Sequence, residues 1–296
     1  NFYIQRYFKY ETYIIDWVKE RTSNKVSNVL PDTKVARLEK MFGNFDDVLD
    51  WQQIGAANCL LNNFSIISGG PGTGKTTTVA KFLALHLESY THHKIALVAQ
   101  TGKAATRLKE SLDGQIKGLH KLGVIDSVVN SMKAIEPSTI HKLLKMDPSS
   151  LGTKFRFNEK NKLPYDVILI DEASMIDLSL MYKLLSAIAS DTKVIMMGDK
   201  NQLCSVEAGS VFGDLCQALV ENKFNNSRFL ELKKLGLKEA TDTGSENVLV
   251  HLQKTYRFGE DTEIYKLSQD LLKGEFSNEN CSPKLINGKL GKGPVS

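Results

Sequence analysis

The stretch Gly69-Gly70-Pro71-Gly72-Thr73-Gly74-Lys75-Thr76 constrains this chain more than any other. It satisfies G-x-x-x-x-G-K-S/T, the pattern of a phosphate-binding loop. The apolar run Phe64-Ser65-Ile66-Ile67-Ser68 precedes it and reads as a buried strand, and Lys75 to Leu87 reads as a helix. A glycine-rich turn in that setting aims successive backbone N–H groups and the positive end of a helix dipole at one point, which suits a polyphosphate. Lys75 would reach the β and γ phosphates, and Thr76 would hold Mg²⁺ through its hydroxyl. Gly70, Gly72, Thr73, Gly74, Lys75, Thr76 and Thr77 form the expected nucleotide-binding set.

Further strands recur with helices between them, at 94–99, 166–170, 193–197 and 247–252. That alternation argues for an α/β fold, a parallel sheet flanked by helices. Polar signatures follow the strand ends, where open α/β sheets place their ligands. Val167-Ile168-Leu169-Ile170 delivers Asp171 and Glu172. Asp171 is the expected Mg²⁺ ligand and Glu172 the general base for an attacking water. The run 94–99 delivers Gln100-Thr101-Gly102-Lys103 at the start of a helix, Thr106 to Leu112. A hydroxyl, backbone N–H groups and a cation there suit a phosphate, though a plain helix cap reads the same way. After 193–197 comes Gly198-Asp199-Lys200-Asn201-Gln202, whose Gln202 is placed to sense a γ-phosphate. After 247–252 come Tyr256 and Arg257, the latter a candidate for stabilising charge on a transferred phosphoryl group.

The remaining segments say less. Residues 1–42 carry aromatic residues at helical spacing and read as core, with Pro31-Asp32 opening a short helix from Thr33 to Met41. Asp46-Asp47 have helix-start character for a helix running to Leu61, which carries Gln52. Gln52 is either a solvated helix residue or an amide that reads an adenine edge. Ser138 to Leu144 reads as a capped short helix containing Thr139 and His141, and His141 by itself is an ordinary structural or surface histidine. Thr153 to Leu163 alternates and suggests a protruding hairpin; its basic bias is a solvated face or, with Phe155 and Phe157 interleaved, a contact to single strands.

Composition excludes several classes. Of 296 residues, 42% are apolar and 24% charged, so a sizeable core needs no disulfide framework. The four cysteines form no C-x-x-C pair, so zinc and redox chemistry have little support and reduced thiols in a cytoplasmic protein are expected. No apolar run approaches a membrane span. No Asn-Lys-x-Asp segment follows a late strand, which disfavours a GTPase. A first residue other than Met and a Gly/Lys-rich tail suggest an excised or incomplete chain.

Taken in order, the phosphate loop, Gln-Thr-Gly-Lys-Ala-Ala-Thr-Arg-Leu, Ser-Thr-Ile-His-Lys-Leu-Leu, Asp-Glu-Ala-Ser-Met-Ile-Asp, Gly-Asp-Lys-Asn-Gln-Leu and Leu-Gln-Lys-Thr-Tyr-Arg-Phe resemble superfamily 1 helicases. More closely, they resemble the RecD family, the alpha subunits of exodeoxyribonuclease V. The resemblance runs from Trp51 to Phe258. It implies an ATP- and Mg²⁺-dependent motor moving 5′→3′ on single-stranded DNA, beside RecB-like and RecC-like subunits, in double-strand break repair and recombination. It implies a RecA-like motor domain over 46–258, a helical segment over 1–45 before it, and an incomplete start of the next domain over 259–296. By the same resemblance Gln52 reads adenine, and Thr101, Gly102, Lys103, Thr139 and His141 track the strand. Gln202 senses the γ-phosphate, Arg257 is a late catalytic arginine and Tyr256 stacks near the base. Gln100 departs from the family, where Pro is expected, and two later motor motifs are not in the chain. A nucleotide-regulated subunit that binds DNA or a partner without productive unwinding is the alternative.

Overall fold

In the computed structural model the described residues are 5–23, 29–43, 49–147, 154–202, 211–239 and 247–256, with two short strands further on. The chain divides into two compact units, Asn1–Lys254 and Thr255–Ser296. In the second, the described elements are a two-residue antiparallel pairing of Leu285–Ile286 with Lys289–Leu290.

The first unit is built on one sheet. Its strands are β1 (Phe64–Gly69), β2 (Ile95–Ala99), β3 (Ser138–Thr139), β4 (Val167–Asp171), β5 (Lys193–Gly198) and β6 (Leu249–Leu252). They lie in the order β3-β2-β4-β5-β1-β6, and every pairing is parallel. The expected parallel sheet is therefore present, with one strand more than the sequence suggested: β3 has only two residues, too few to show periodicity.

The inner strands are apolar almost throughout because both faces are covered. Ile67, Leu97, Leu169, Ile195 and Met197 face one core. That side is covered by α2 (Asp32–Phe42), α3 (Trp51–Leu61), α4 (Lys75–Ser89), α5 (Gly102–Leu119), α6 (Asp126–Lys133) and α10 (Asn226–Leu232). Phe64, Ile66, Val98, Ile168, Ile170, Val194 and Met196 face the other core. It is covered by α1 (Gln5–Ser23), α7 (Ile140–Leu143), α8 (Leu178–Ser186) and α9 (Val211–Ala218).

The aromatic N-terminal stretch belongs to that second core. Trp17 meets Phe64 of β1 edge-to-face at 5.3 Å, and Tyr10 stacks on Tyr182 of α8 at 4.3 Å. Arg21 reaches across to donate to the carbonyl of Thr192 at 2.6 Å and to that of Ala189. Its burial pulls the guanidinium down to about 10, partly offset by Glu20 and Asp191. The aromatic spacing thus reports a helix packed on a sheet, with α2 on the opposite face.

Two local expectations need correction. Helix α3 begins at Trp51, and its N-cap is Asp50, which accepts from the Gln52 N–H at 2.8 Å; Asp46 and Asp47 lie outside the described residues. The 154–163 stretch makes antiparallel bridges, Met146 with Phe155 and Asn158 with Asn161, and no longer ladder among the described residues. Its alternation turns Phe155 and Phe157 toward the second core while Lys154, Arg156 and Asn158 face solvent.

One buried cation holds the base of the sheet. Lys193, at the start of β5, donates to the carbonyls of Cys59 at 2.8 Å, Leu60 at 3.3 Å and Asn62, the open C-terminal end of α3. Burial lowers the ammonium to about 8, opposed by Cys59. Lys193→Met would leave these carbonyls without their donor. The expected loss is about 2–3 kcal/mol of unfolding free energy, read by denaturant titration.

Candidate active site

The loop after β1 closes on itself through short contacts. Thr73 donates its hydroxyl to the Gly70 carbonyl at 2.8 Å, and Thr78 donates to the Gly74 carbonyl at 3.0 Å. Gly72 and Gly74 take φ of 80° and 87°, the left-handed region open to glycine at little cost. Helix α4 starts immediately after Gly74, so its first N–H groups face the loop. Lys75 Nζ donates back to the carbonyls of Gly69 at 2.6 Å and Gly70 at 3.2 Å. The ammonium therefore lies over the loop, where a bound phosphate would sit.

Gln52 is buried, with 8% of its surface exposed, which removes the solvated-helix reading. Its amide donates to the Thr73 carbonyl at 2.9 Å. Helix α3 and the phosphate loop are thereby joined through that side chain, leaving one amide hydrogen and the amide oxygen for other uses.

β4 ends at Asp171, and Glu172 follows with φ 50° and ψ 41°. A side-chain-bearing residue held left-handed costs energy that surrounding packing must offset, and such residues gather at functional sites. Burial pushes the Asp171 carboxyl up, with Glu172 adding to the rise. A backbone hydrogen bond at Glu172 and the Lys75 ammonium oppose it. A buried carboxylate short of charge compensation, on a chain that also carries the Thr76 hydroxyl in the first turn of α4, suits Mg²⁺, a hard cation that needs few protein oxygens when phosphates supply the rest. The residues present therefore fit that ion.

The turn after β5 completes this edge. Asp199 Oδ1 accepts from the Asn201 N–H at 2.9 Å, and the Gln202 N–H donates to the Asp199 carbonyl at 3.2 Å. Asp199 Oδ2 comes within 4.0 Å of where a Cβ on Gly70 would lie, so the turn faces the phosphate loop. Ser174, just past the paired acids, donates its hydroxyl to Gln202 Oε1 at 3.2 Å. Asp199 and Ser174 were not singled out in the sequence, although both sit inside the quoted segments Gly-Asp-Lys-Asn-Gln-Leu and Asp-Glu-Ala-Ser.

The strand-tracking candidates lie on the same edge of the sheet. Ala99 pairs with Thr139, so the ends of β2 and β3 are neighbours. Thr101, Gly102 and Lys103 are exposed, as is His141. Thr101 caps α5, accepting from the Ala104 N–H at 3.2 Å, and Thr139 caps α7, accepting from the Lys142 N–H at 3.3 Å. From β2 through β4 and β5 to β1 is three strand steps, about 14 Å at ordinary strand spacing. The paired acids stand between the two groups. Tyr256 falls in the second compact unit, and Arg257 lies outside the described residues.

The RecBCD enzyme subunit RecD of Haemophilus influenzae is 40% identical over 244 residues, covering 81% of this chain and 38% of that protein. The subunit of the same name from Buchnera aphidicola (subsp. Acyrthosiphon pisum) is 35% identical over 283 residues, covering 92% of this chain and 44% of that protein. The ATP-dependent RecD2 DNA helicase of Deinococcus radiodurans is 37% identical over 153 residues, covering 52% of this chain and 18% of that protein. The chain thus spans less than half the length of each of these relatives. The family model described as an AAA domain matches residues 52–208, more than half of the chain. That span runs from Gln52 through the phosphate loop and the paired acids to the turn after β5, and the chain belongs to the AAA domain family.

Proposed function

We propose that this chain carries the ATP-hydrolysing part of a DNA motor, a 5′→3′ helicase subunit of a RecBCD-like complex in double-strand break repair. One observation carries the reading. A single parallel sheet presents the phosphate loop and the candidate strand-tracking residues on one edge, on either side of Asp171 and Glu172. A nucleotide-dependent movement at β4 or β5 then has a short rigid path to β2 and β3. The names of the relatives, RecBCD subunit and DNA helicase, support the same reading.

In this account Lys75 exchanges the carbonyls of Gly69 and Gly70 for the terminal phosphates of ATP. Thr76 and Asp171 would hold Mg²⁺, which when bound offsets phosphate charge. Glu172 orients the attacking water and takes its proton. Gln202 reads the presence of the γ-phosphate, Gln52 reads the adenine, and Arg257 stabilises charge as the phosphoryl group leaves. Tyr256 stacks near the base. RecB-like and RecC-like subunits are the proposed partners, single-stranded DNA the track and the cytoplasm the location. Among the described residues no helix is long and apolar enough to cross a membrane.

Direction of travel is checked with the intact protein on a single strand carrying streptavidin at one end. ATP-dependent displacement from the 3′ end, and not from the 5′ end, is expected. Displacement from the 5′ end alone contradicts the polarity. Hydrolysis with displacement from neither end favours a nucleotide-regulated binding subunit.

A further inference from the structure

The turn after β5 is held at two points. Ser174 grips Gln202 from the side of the paired acids. On the other side Lys200 Nζ donates to Glu221 Oε2 at 2.6 Å. Glu221 lies in the connection between α9 and α10, outside every motif read from the sequence. That connection is itself fastened to β6. The Asn222 N–H donates to the Leu249 carbonyl at 3.1 Å, and its side-chain amide donates to the His251 carbonyl at 3.0 Å. In return its amide oxygen accepts from the His251 N–H at 2.7 Å. Asn222 takes a φ of 55° to do this.

Among the described residues strand β6 pairs with β1 alone, so Asn222 stands in for a neighbouring strand at its open edge. His251 Nδ1 lies 3.9 Å from Glu221 Oε2, which gives the carboxylate two basic neighbours. Burial lowers the His251 ring, against the pull of Glu221.

We propose that Glu221 is a positioning residue: it fixes Lys200, and with it the turn Asp199–Gln202, against the sheet edge so that Gln202 meets the terminal phosphate. This rests on the reading of Gln202 as the γ-phosphate sensor. The side chains of Lys200 and Glu221 are 30% and 39% exposed, and an ion pair that open to water adds little to global stability. Its loss therefore separates positioning from folding.

The test uses the intact protein, ATP hydrolysis on single-stranded DNA, and fluorescent ADP and a non-hydrolysable ATP analogue as binding probes. Glu221→Ala and Lys200→Met are each expected to lower kcat roughly tenfold, as small displacements of a reacting group do. KM for ATP should stay within about twofold, the loss falling on the transition state. The unfolding midpoint should not move, and preference for the ATP analogue over ADP should shrink. The exchanged pair, Lys200→Glu with Glu221→Lys, should recover most of kcat. Unchanged kcat and unchanged preference in Glu221→Ala overturn the proposal and leave the motor reading standing, provided Glu172→Gln still abolishes wild-type turnover. A kcat loss that follows a lowered midpoint and is not recovered by the exchange also overturns it. A wild-type protein that neither binds nor hydrolyses ATP removes the motor reading and this proposal together.

Discussion

Glu172→Gln is expected to lower ATP hydrolysis by the intact protein roughly 10²- to 10⁴-fold, the usual worth of a positioned general base. Nucleotide binding should persist, because the binding contacts belong to the loop and to α4. The amide keeps the size and hydrogen-bonding reach of the carboxylate but cannot take a proton from water at neutral pH. The left-handed backbone at residue 172 is unaffected by the change, so the geometry of the β4 end is preserved. Glu172 also adds to the rise of the Asp171 carboxyl. Removing its charge should ease ionisation of Asp171. Single-turnover hydrolysis beside a binding titration checks both halves. Hydrolysis at the wild-type rate would show that the proton goes elsewhere.

Gly74→Ala should be strongly disruptive. A Cβ at Gly74 would fall 2.1 Å from Gln52 Nε2 and 3.0 Å from its Cδ, and the backbone there is left-handed at φ 87°. Relief requires Gln52 to leave its hydrogen bond to the Thr73 carbonyl or the loop to change its turn. Both routes damage the phosphate site. The expected cost is about 2–4 kcal/mol from backbone strain and overpacking together. Nucleotide binding should weaken in parallel. Gly114→Ala is the internal comparison. It lies inside α5 with nothing within 4 Å of its would-be Cβ, so it should stabilise by about 0.5–1 kcal/mol through helix propensity alone. Thermal unfolding and nucleotide titration of the two variants give the contrast. Equal midpoints would mean that the Gln52–loop contact is soft.

Much of this was legible in the sequence because the chemistry sits at strand ends. An apolar run ending in Asp171-Glu172, or in a glycine loop with Lys75, announces both the element and what it carries. The covered faces of the inner strands also read directly, as unbroken apolar runs. What stayed hidden was tertiary. Two-residue β3 has no period to detect, yet it sets Thr139 beside the end of β2. The alternation from Thr153 to Leu163 suggested a projecting hairpin; it also records Phe155 and Phe157 turning inward. The aromatic stripe of α1 could not say which surface it covers. Glu221 and Asn222 lie in a connection with no pattern, and only the fold brings them to Lys200 and β6. Gln52 lay between: its type suggested a role, and its burial against Thr73 took the structure to show.

In the proposed motor, hydrolysis at the phosphate loop is coupled to a strand held at the ends of β2 and β3. Steady-state ATP hydrolysis by the intact protein, with and without single-stranded DNA, measures that coupling directly. Strong stimulation by DNA is expected. Stimulation should be abolished in Lys75→Ala and weakened in Lys103→Ala, whose lysine stands on the far side of the paired acids. Turnover that is the same with and without DNA, in a protein that binds both ligands, would contradict it.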